Sequence, residues 1–412
     1  MARILLSAYA CEPARGSEPS VGWSWATELA RLGHEVTVIT RAANQAAIEK
    51  EAQRPSQHLR FVYYELPPSL QRLRHYSGGK PLYYVLWQCF AVQRIRELFP
   101  ALPFDVVQHV TYVSTRYPSF MGGLGLPFWF GPVSGGERVP RRLRTAFSRK
   151  QRFRERLRDL SNFLVQFDPL LRRTFRQAAR ILVTHDTLAL VPRRWRHKSS
   201  ARLAIGLPAL ALLDGHRRPD GESRELRLLY VGRLLHWKGV DIALRTVSRM
   251  RQRHPAISFT IVGDGPARSQ LCKLGRELGL DGLVRWVKWL PQRSLASYYR
   301  ESDLLLFPSL RDSGGMVVLE SLAHGLPVVC TDLGGPGLII NSTCGRAIAT
   351  QGRTPDQLAS AMADALLDIV SVPNRMESLS LGARVRARDF SFEKLVRSLY
   401  PLPEAAPAAT PS

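Results

Sequence analysis

The residues Pro308 to Gly337 read PSLRDSGGMVVLESLAHGLPVVCTDLGGPG, and the fold turns on how this stretch is read. An apolar run, Asp303–Phe307, precedes it, and a second, Pro327–Cys330, lies within it. A helical segment, Val317–His324, stands between them. Strands alternating with helices in this way form βαβ units and so a parallel sheet. Asp312 stands eight residues before Glu320, with Gly314 and Gly315 between them. A glycine pair at a strand-to-helix turn lets backbone N–H groups approach an anion or sugar hydroxyls closely. Glu320, in the first turns of the helix, can accept two hydroxyl hydrogen bonds from a ribose. An isolated acidic pair would be a routine loop with surface acids; the surrounding pattern argues against that.

Outward from this unit the same rhythm continues. Leu226–Val231, Ile257–Val262 and Val284–Val287 read as strands, with helices at Gly239–His254, Ala267–Leu278 and Ser294–Glu301. The first half repeats it: strands at Arg3–Ser7, Val36–Thr40, Leu59–Tyr64, Asp105–His109 and Pro127–Phe130, with Ala179–Thr184 closing the sheet. Helices fall at Val21–Leu32, stopped by Gly33, and Tyr83–Phe99, ended by Pro100. The expected fold class is α/β: two Rossmann-like doubly wound domains facing across a cleft. The expected division is residues 1–200, then 201–390, with 391–400 a terminal helix crossing back to the first domain and 401–412 a disordered Pro/Ala-rich tail. The linker falls in Arg193–Arg224. Ligands of open parallel sheets sit beyond the carboxyl ends of the strands, so the loops there are the ones to read for chemistry.

The loop after Leu226–Val231 belongs to YVGRLLHWKGVD, Tyr230–Asp241. Gly232 gives a tight turn, and Arg233 and Lys238 project beyond it. Two cations five apart at a sheet's carboxyl edge suit a diphosphate, Arg as a fork and Lys as a mobile point charge. The competing reading is two ordinary surface cations in an Arg-rich chain. No Asp-x-Asp occurs anywhere, so nothing in the pattern calls for a metal on the diphosphate. IVGDGP, Ile261–Pro266, is a second glycine-bracketed turn containing Gly263, weak by itself. In the first half, CEPARGSEPSVGW (Cys11–Trp23) places Gly16 and Ser17 after the first strand, where backbone can approach phosphate.

Taken together, Asp312 through Glu320 followed by Gly325-Leu326-Pro327 resembles the donor-binding signature of the retaining glycosyltransferases of family 4, which have the GT-B fold. The resemblance covers nearly the whole chain and is strongest from Leu226 to Pro336. One departure is that the family usually carries Glu where this chain has Asp312, a carboxylate one methylene shorter. The resemblance implies that Arg233 and Lys238 hold the donor pyrophosphate and neutralise the departing nucleotide, and that Asp312 contacts the donor sugar. It implies catalytic roles for His109, Arg233, Lys238, Asp312 and Glu320, with His109 touching the donor sugar. Donor contacts would come from Gly16, Gly232, Gly263, Ser313, Gly314, Gly315 and Met316, and from Lys288, Trp289 and Leu290 beside the base. From the residues alone, Trp289 reads equally well as core. Ser17 and Glu18, with Gly135, Gly136 and Glu137 of GPVSGGE, would shape the acceptor side. The implied reaction moves a sugar from a nucleoside diphosphate to an acceptor hydroxyl with retained configuration and no cofactor or metal, in surface polysaccharide or glycolipid synthesis. The partners implied are a nucleotide diphosphate sugar and a glycan or lipid-linked acceptor.

Composition bounds the alternatives. The 412 residues carry 58 Lys and Arg against 34 Asp and Glu, a formal charge of +24. Such a balance implies anionic partners. Basic residues crowd Arg138–Arg180, where Phe153, Leu157, Leu160 and Leu164 are spaced four, three and four, on one helical face. Arg152, Arg154, Arg156 and Arg158 flank that stripe. The segment reads as a solvated helix face packed by its stripe on the first domain, or as a patch for an anionic membrane surface. A protein binding nucleic acid or anionic surfaces through residues 138–180 is the alternative function; without zinc-finger, RRM or KH signatures, nucleic acid is not expected. A nicotinamide dehydrogenase would need GxGxxG after a first strand, and neither half has it. Five scattered cysteines, Cys11, Cys89, Cys272, Cys330 and Cys344, without a CxxC pair fit a reducing cytoplasm. No apolar run reaches the roughly 20 residues of a membrane span. Met1–Ala10 reads as a buried first strand rather than a signal peptide. The expected location is therefore the cytoplasm, with the inner face of the membrane as a docking surface.

Overall fold

The computed structural model describes residues 1–13, 15–16, 18–51, 57–76, 78–203, 205–208 and 225–400. Ser17, residues 209–224 of the expected linker and the tail 401–412 lie outside the described residues.

The first domain holds strands β1 (Arg3–Ser7), β2 (Glu35–Arg41), β3 (Leu59–Tyr64), β4 (Val106–His109), β5 (Phe128–Val133), β6 (Ala178–Val183) and β7 (Ser199–Ala201). They form one parallel sheet ordered β3-β2-β1-β4-β5-β6-β7. Its helices are α1 (Glu18–Arg31), α2 (Gln45–Glu51), α3 (Pro68–Gln71), α4 (Gly79–Leu98), α5 (Arg149–Leu164) and α6 (Pro169–Gln177). The second domain holds β8 (Leu226–Val231), β9 (Ile257–Val262), β10 (Val284–Val287), β11 (Leu304–Phe307), β12 (Val328–Thr331) and β13 (Gly345–Ile348). Their order is β10-β9-β8-β11-β12-β13, again parallel. Its helices are α7 (Val240–Arg253), α8 (Arg268–Glu277), α9 (Leu295–Glu301), α10 (Met316–Ala323), α11 (Gly334–Ile339), α12 (Pro355–Ser371) and α13 (Arg375–Arg388); α14 (Phe392–Leu399) follows.

The apolar runs become strands because helices cover both faces of each sheet. Ile4, Leu5 and Leu6 of β1, and Leu304, Leu305 and Leu306 of β11, are fully buried in succession, as strands sandwiched between helix layers must be. The helices bury one stripe each; in α7 it is Ile242, Ala243, Thr246, Val247 and Met250. Strand order reverses at β1/β4 and at β8/β11, so each sheet has its crevice at that switch point. α14 lies on the first domain: Phe392 meets Trp25 of α1 edge-on, Glu393 pairs with Arg31, and Tyr400 donates to Gln108 Oε1 at 2.6 Å.

Three expectations need correction. Ala179–Thr184 does not close the first sheet; β7 pairs outside β6. β7 is three residues, Ser-Ser-Ala, too short and polar to show a strand period. The leading part of the expected linker is therefore first-domain structure, with Trp195 buried against Phe175. Third, of the two readings of the α5 stripe, packing on the first domain is not what the structure has. Phe153, Leu157, Leu160 and Leu164 are 65, 56, 53 and 51% exposed. The helix buries two polar residues instead, Glu155 and Asn162. A capping box of Ser148 and Gln151 starts it. Arg158 turns inward with Glu155, so it does not flank the outer stripe as expected.

Candidate active site

The loops after β4 and β5 meet those after β8 and β11 across a cavity of about 310 Å³ between the domains. Ser114, Arg116, Ser134, Gly135, Glu137 and Arg158 line it from the first domain; Lys238, Arg311, Asp312 and Ser313 line it from the second. Four cations thus face two carboxylates.

Asp312 is the hub on the second-domain side. One carboxylate oxygen accepts from the backbone N–H groups of Gly314 and Gly315, at 3.2 and 2.8 Å, and the other lies 2.5 Å from Lys238 Nζ. The chain here turns back on itself so that Asp312 fixes the start of α10 and aims Lys238 into the cleft. The carboxylate expected to touch the donor sugar thus also holds the loop and Lys238 while it lines the cavity. Arg233 is exposed beyond β8, and its carbonyl accepts from Tyr230 Oη at 3.4 Å. Gly232 and Gly263 both have positive φ, and a Cβ on Gly263 would strike the Gly232 carbonyl. These two loops therefore approach backbone to backbone, which only glycine permits. The half-buried Met316 begins α10 just beyond Gly315.

Glu320 is not among the residues that line that cavity. Tyr299 Oη donates to it at 2.8 Å and Gln292 Nε2 at 2.6 Å, and burial pushes its carboxyl above the ordinary range. Gln292 follows Lys288, Trp289 and Leu290 in the loop after β10, so Glu320 and that loop form one neighbourhood. Trp289 is 69% exposed, which removes it from the core.

His109 is not among the residues that line the cavity. It is 1% exposed; Nε2 lies 3.0 Å from Tyr84 Oη and Nδ1 2.9 Å from Ser119 Oγ. Burial lowers its pKa to about 4, so the ring is neutral and both nitrogens are engaged within the first domain. Glu18 opens α1 and accepts from the backbone N–H of Tyr112 at 2.9 Å; Gly16, nearby, is exposed in open space. The GPVSGGE loop is tightly built. Gly135, at φ +114, leaves no room for a Cβ beside Thr115 and Ser114. Gly136 donates to Thr187 Oγ1, and the buried Glu137 takes bonds from Thr184 and from the Gly135 N–H.

Sequence reading missed a residue that joins the domains. Glu155 of α5, with 4% of its side chain exposed, accepts from Arg311 Nη1 at 2.9 and 3.1 Å, and His236 Nε2 lies 3.3 Å away. Burial alone would raise its pKa; the His236 hydrogen bond and the Arg311 charge more than offset that and hold it low. Arg311 also covers the Trp237 ring at 4.2 Å, and burial and its neighbours Arg158 and Arg116 lower its pKa to about 10. Arg311 was within reach of a sequence reading, standing beside Asp312; Glu155, one acid in an Arg run, carried no signal.

Comparison with known proteins bears on the class. The chain aligns over 97% of its length with sucrose-phosphate synthase from Thermosynechococcus elongatus, covering 99% of that chain at TM-score 0.63 and 18% identity. It aligns over 98% with Anabaena HepE in complex with UDP and glucose, covering all of it at TM-score 0.58 and 14% identity. At such identities the likeness shows the fold, which is the two-domain GT-B architecture of glycosyltransferases. In sequence, residues 216–380 match the family model of glycosyl transferases group 1. A D-inositol 3-phosphate glycosyltransferase of Thermobispora bispora is 33% identical over 204 residues, 47% of this chain and 43% of that one. The chain spans about half the length of the curated relatives it matches. These matches support a group 1 glycosyltransferase.

Proposed function

We propose that the protein is a retaining, metal-independent glycosyltransferase of family 4 that moves a sugar from a nucleoside diphosphate sugar to the hydroxyl of a glycan or lipid-linked acceptor. The observation that carries this reading is the interdomain cavity, where the carboxyl-edge loops of two parallel sheets bring Lys238, Arg311 and Asp312 opposite Arg116 and Arg158. HepE, which shares the fold, holds UDP and glucose. Lys238 keeps one ammonium proton on Asp312 and has two more for diphosphate oxygens; exposed Arg233 offers a fork to the same group. Glu320, with Tyr299 and Gln292, stands beside the loop expected at the base and ribose. In the transfer, the bond from the anomeric carbon to the phosphate oxygen breaks and the bond to the acceptor oxygen forms. The acceptor proton passes to the departing phosphate, and the cations neutralise the charge that develops there. A thermal-shift panel of UDP, GDP and ADP tests the reading, since a ligand of the folded state raises the melting temperature. No shift with any of the three would end it.

We place the enzyme in the cytoplasm, against an anionic membrane surface. The supporting observation is α5: Phe153, Leu157, Leu160 and Leu164 stand exposed in one row, with Phe163 and Phe167 beside them and exposed Arg152, Arg154 and Arg156 alongside. A row of this kind lies apolar face down in a lipid interface, and each nearby cation contributes about 1 kcal/mol, screened by salt. Sedimentation with anionic but not neutral vesicles is expected, lost when those three arginines become Gln. No sedimentation at low salt would refute the placement.

A further inference from the structure

Two cavities share one residue. Arg116, in the turn after β4, lines the polar cavity between the domains and also a second cavity of about 400 Å³, whose apolar wall includes Leu157, Leu160 and Leu164 of α5. One guanidinium thus stands between the exposed apolar row of α5 and the cavity that holds Asp312 and Lys238. Around that guanidinium positive charge is concentrated. Arg116 donates to a neutral acceptor, Asn162 Oδ1, at 2.7 Å. Arg158 donates to the Gly135 carbonyl at 3.0 Å, with the Glu137 carboxylate 3.8 Å away. Arg311 approaches from the other domain. Burial depresses all three, and repulsion among them adds to it: Arg158 acts on Arg116, and both act on Arg311. Glu155 pairs with Arg311 and Glu137 lies beside Arg158, so three guanidiniums meet two carboxylates, and Arg116, held by a neutral amide, is the one left to take an anion. A neutral glycan would leave the Arg116 charge unmatched, and a free phosphate would leave the apolar wall unused.

We propose that Arg116 grips the phosphate of a lipid-phosphate acceptor whose hydrocarbon lies in the groove along α5 and whose hydroxyl reaches the cavity beside Lys238 and Asp312. The proposal rests on the glycosyltransferase reading and names its acceptor class. α5 is then one wall shared by two media, apolar toward the bilayer and polar toward the reaction.

Calorimetry on the full chain tests this with three probes: farnesyl phosphate below its micellar concentration, farnesol, and inorganic phosphate. Farnesyl phosphate is expected to bind at least about tenfold tighter than either of the others, since both halves of the site contribute. Arg116→Gln should weaken farnesyl phosphate about tenfold or more while leaving farnesol unchanged, and Arg116→Lys should restore part of the loss. Leu160→Asn should weaken farnesyl phosphate and farnesol but not inorganic phosphate. Thermal melts confirm that each variant folds. Inorganic phosphate binding as tightly as farnesyl phosphate would overturn the proposal, as would equal binding of farnesol. So would an Arg116→Gln variant that loses the nucleoside diphosphate to the same degree, because the anion site would then belong to the donor. A wild-type chain that binds no nucleoside diphosphate sinks the glycosyltransferase reading, while the three lipid and phosphate affinities still decide the site.

Discussion

Replacing Glu155 with Gln removes the charge that holds the two domains' cleft walls together while keeping the shape. Arg311 is left with 12% of its side chain exposed and no carboxylate at its Nη1. Stripping one partner from a buried ion pair costs about 3–5 kcal/mol, and residual exposure lowers that to on the order of 2–3 kcal/mol here. Because the pair spans the domains, the loss falls on closure rather than on either domain's core. That corresponds to a 30- to 150-fold fall, on the order given by RT ln K, in the closed population. We expect kcat/KM to drop within that range, the solution scattering radius to grow, and nucleoside diphosphate affinity to stay near wild type, since its contacts lie on the second domain. The Glu155→Gln/Arg311→Gln double variant should recover part of the loss, because no orphaned charge remains. Acid should mimic the single variant. Glu155 has a depressed pKa in the fold, so its contribution is present above the ordinary carboxylate pKa and disappears as pH falls through the folded value. A Glu155→Gln enzyme with wild-type kcat/KM and an unchanged radius would refute the latch.

Arg233→Ala and Lys238→Ala should each cut turnover by about 2–4 kcal/mol of transition-state stabilisation without loss of fold, read by steady-state kinetics against circular dichroism; near wild-type rates in both would undo the diphosphate assignment. Glu320→Gln should weaken the bare nucleoside diphosphate in calorimetry more than Asp312→Asn, whose larger effect should be on kcat through the loosened Lys238. Equal losses in binding would count against the division. Activity should persist in excess EDTA; activity restored only by Mg²⁺ or Mn²⁺ would mean that the phosphate site works through a metal.

The inner strands were legible because burial on both faces leaves a nearly continuous apolar run: Leu226–Val231 and Ile257–Val262 fall where the spacing put them. The edge was not, since Ser199–Ala201 pairs on one side only and needs no apolar content. The loop chemistry was legible as residue types and less so as contacts. Asp312 showed as an acid at a glycine turn, but whether it faces a sugar or caps its own helix depends on backbone direction, which no spacing encodes. His109 stood at a strand end, and the hydroxyls of Tyr84 and Ser119 that enclose it come from α4 and a later loop. α5 is the clearest case. Its apolar period was plain in the sequence, but the period alone left two sides open, a stripe against the first domain or one facing outward, and the structure has the second. Glu155, Arg158 and Asn162 hold the other face because the cleft, not a core, lies behind it.

The chain passes between the domains twice, and the two crossings touch. Leu207 donates its N–H to the Phe390 carbonyl at 2.8 Å and accepts from Phe392 N–H at 3.0 Å; a Cβ on Gly206 would press on the Phe392 backbone. A single thread between two bodies lets them swivel freely. Two threads laced side by side form a ribbon, which bends readily across its flat face and resists both shear in its plane and twist along its length. The domains are therefore bound like facing pages: the seam resists the shear and twist that would carry Glu155 out of line with Arg311.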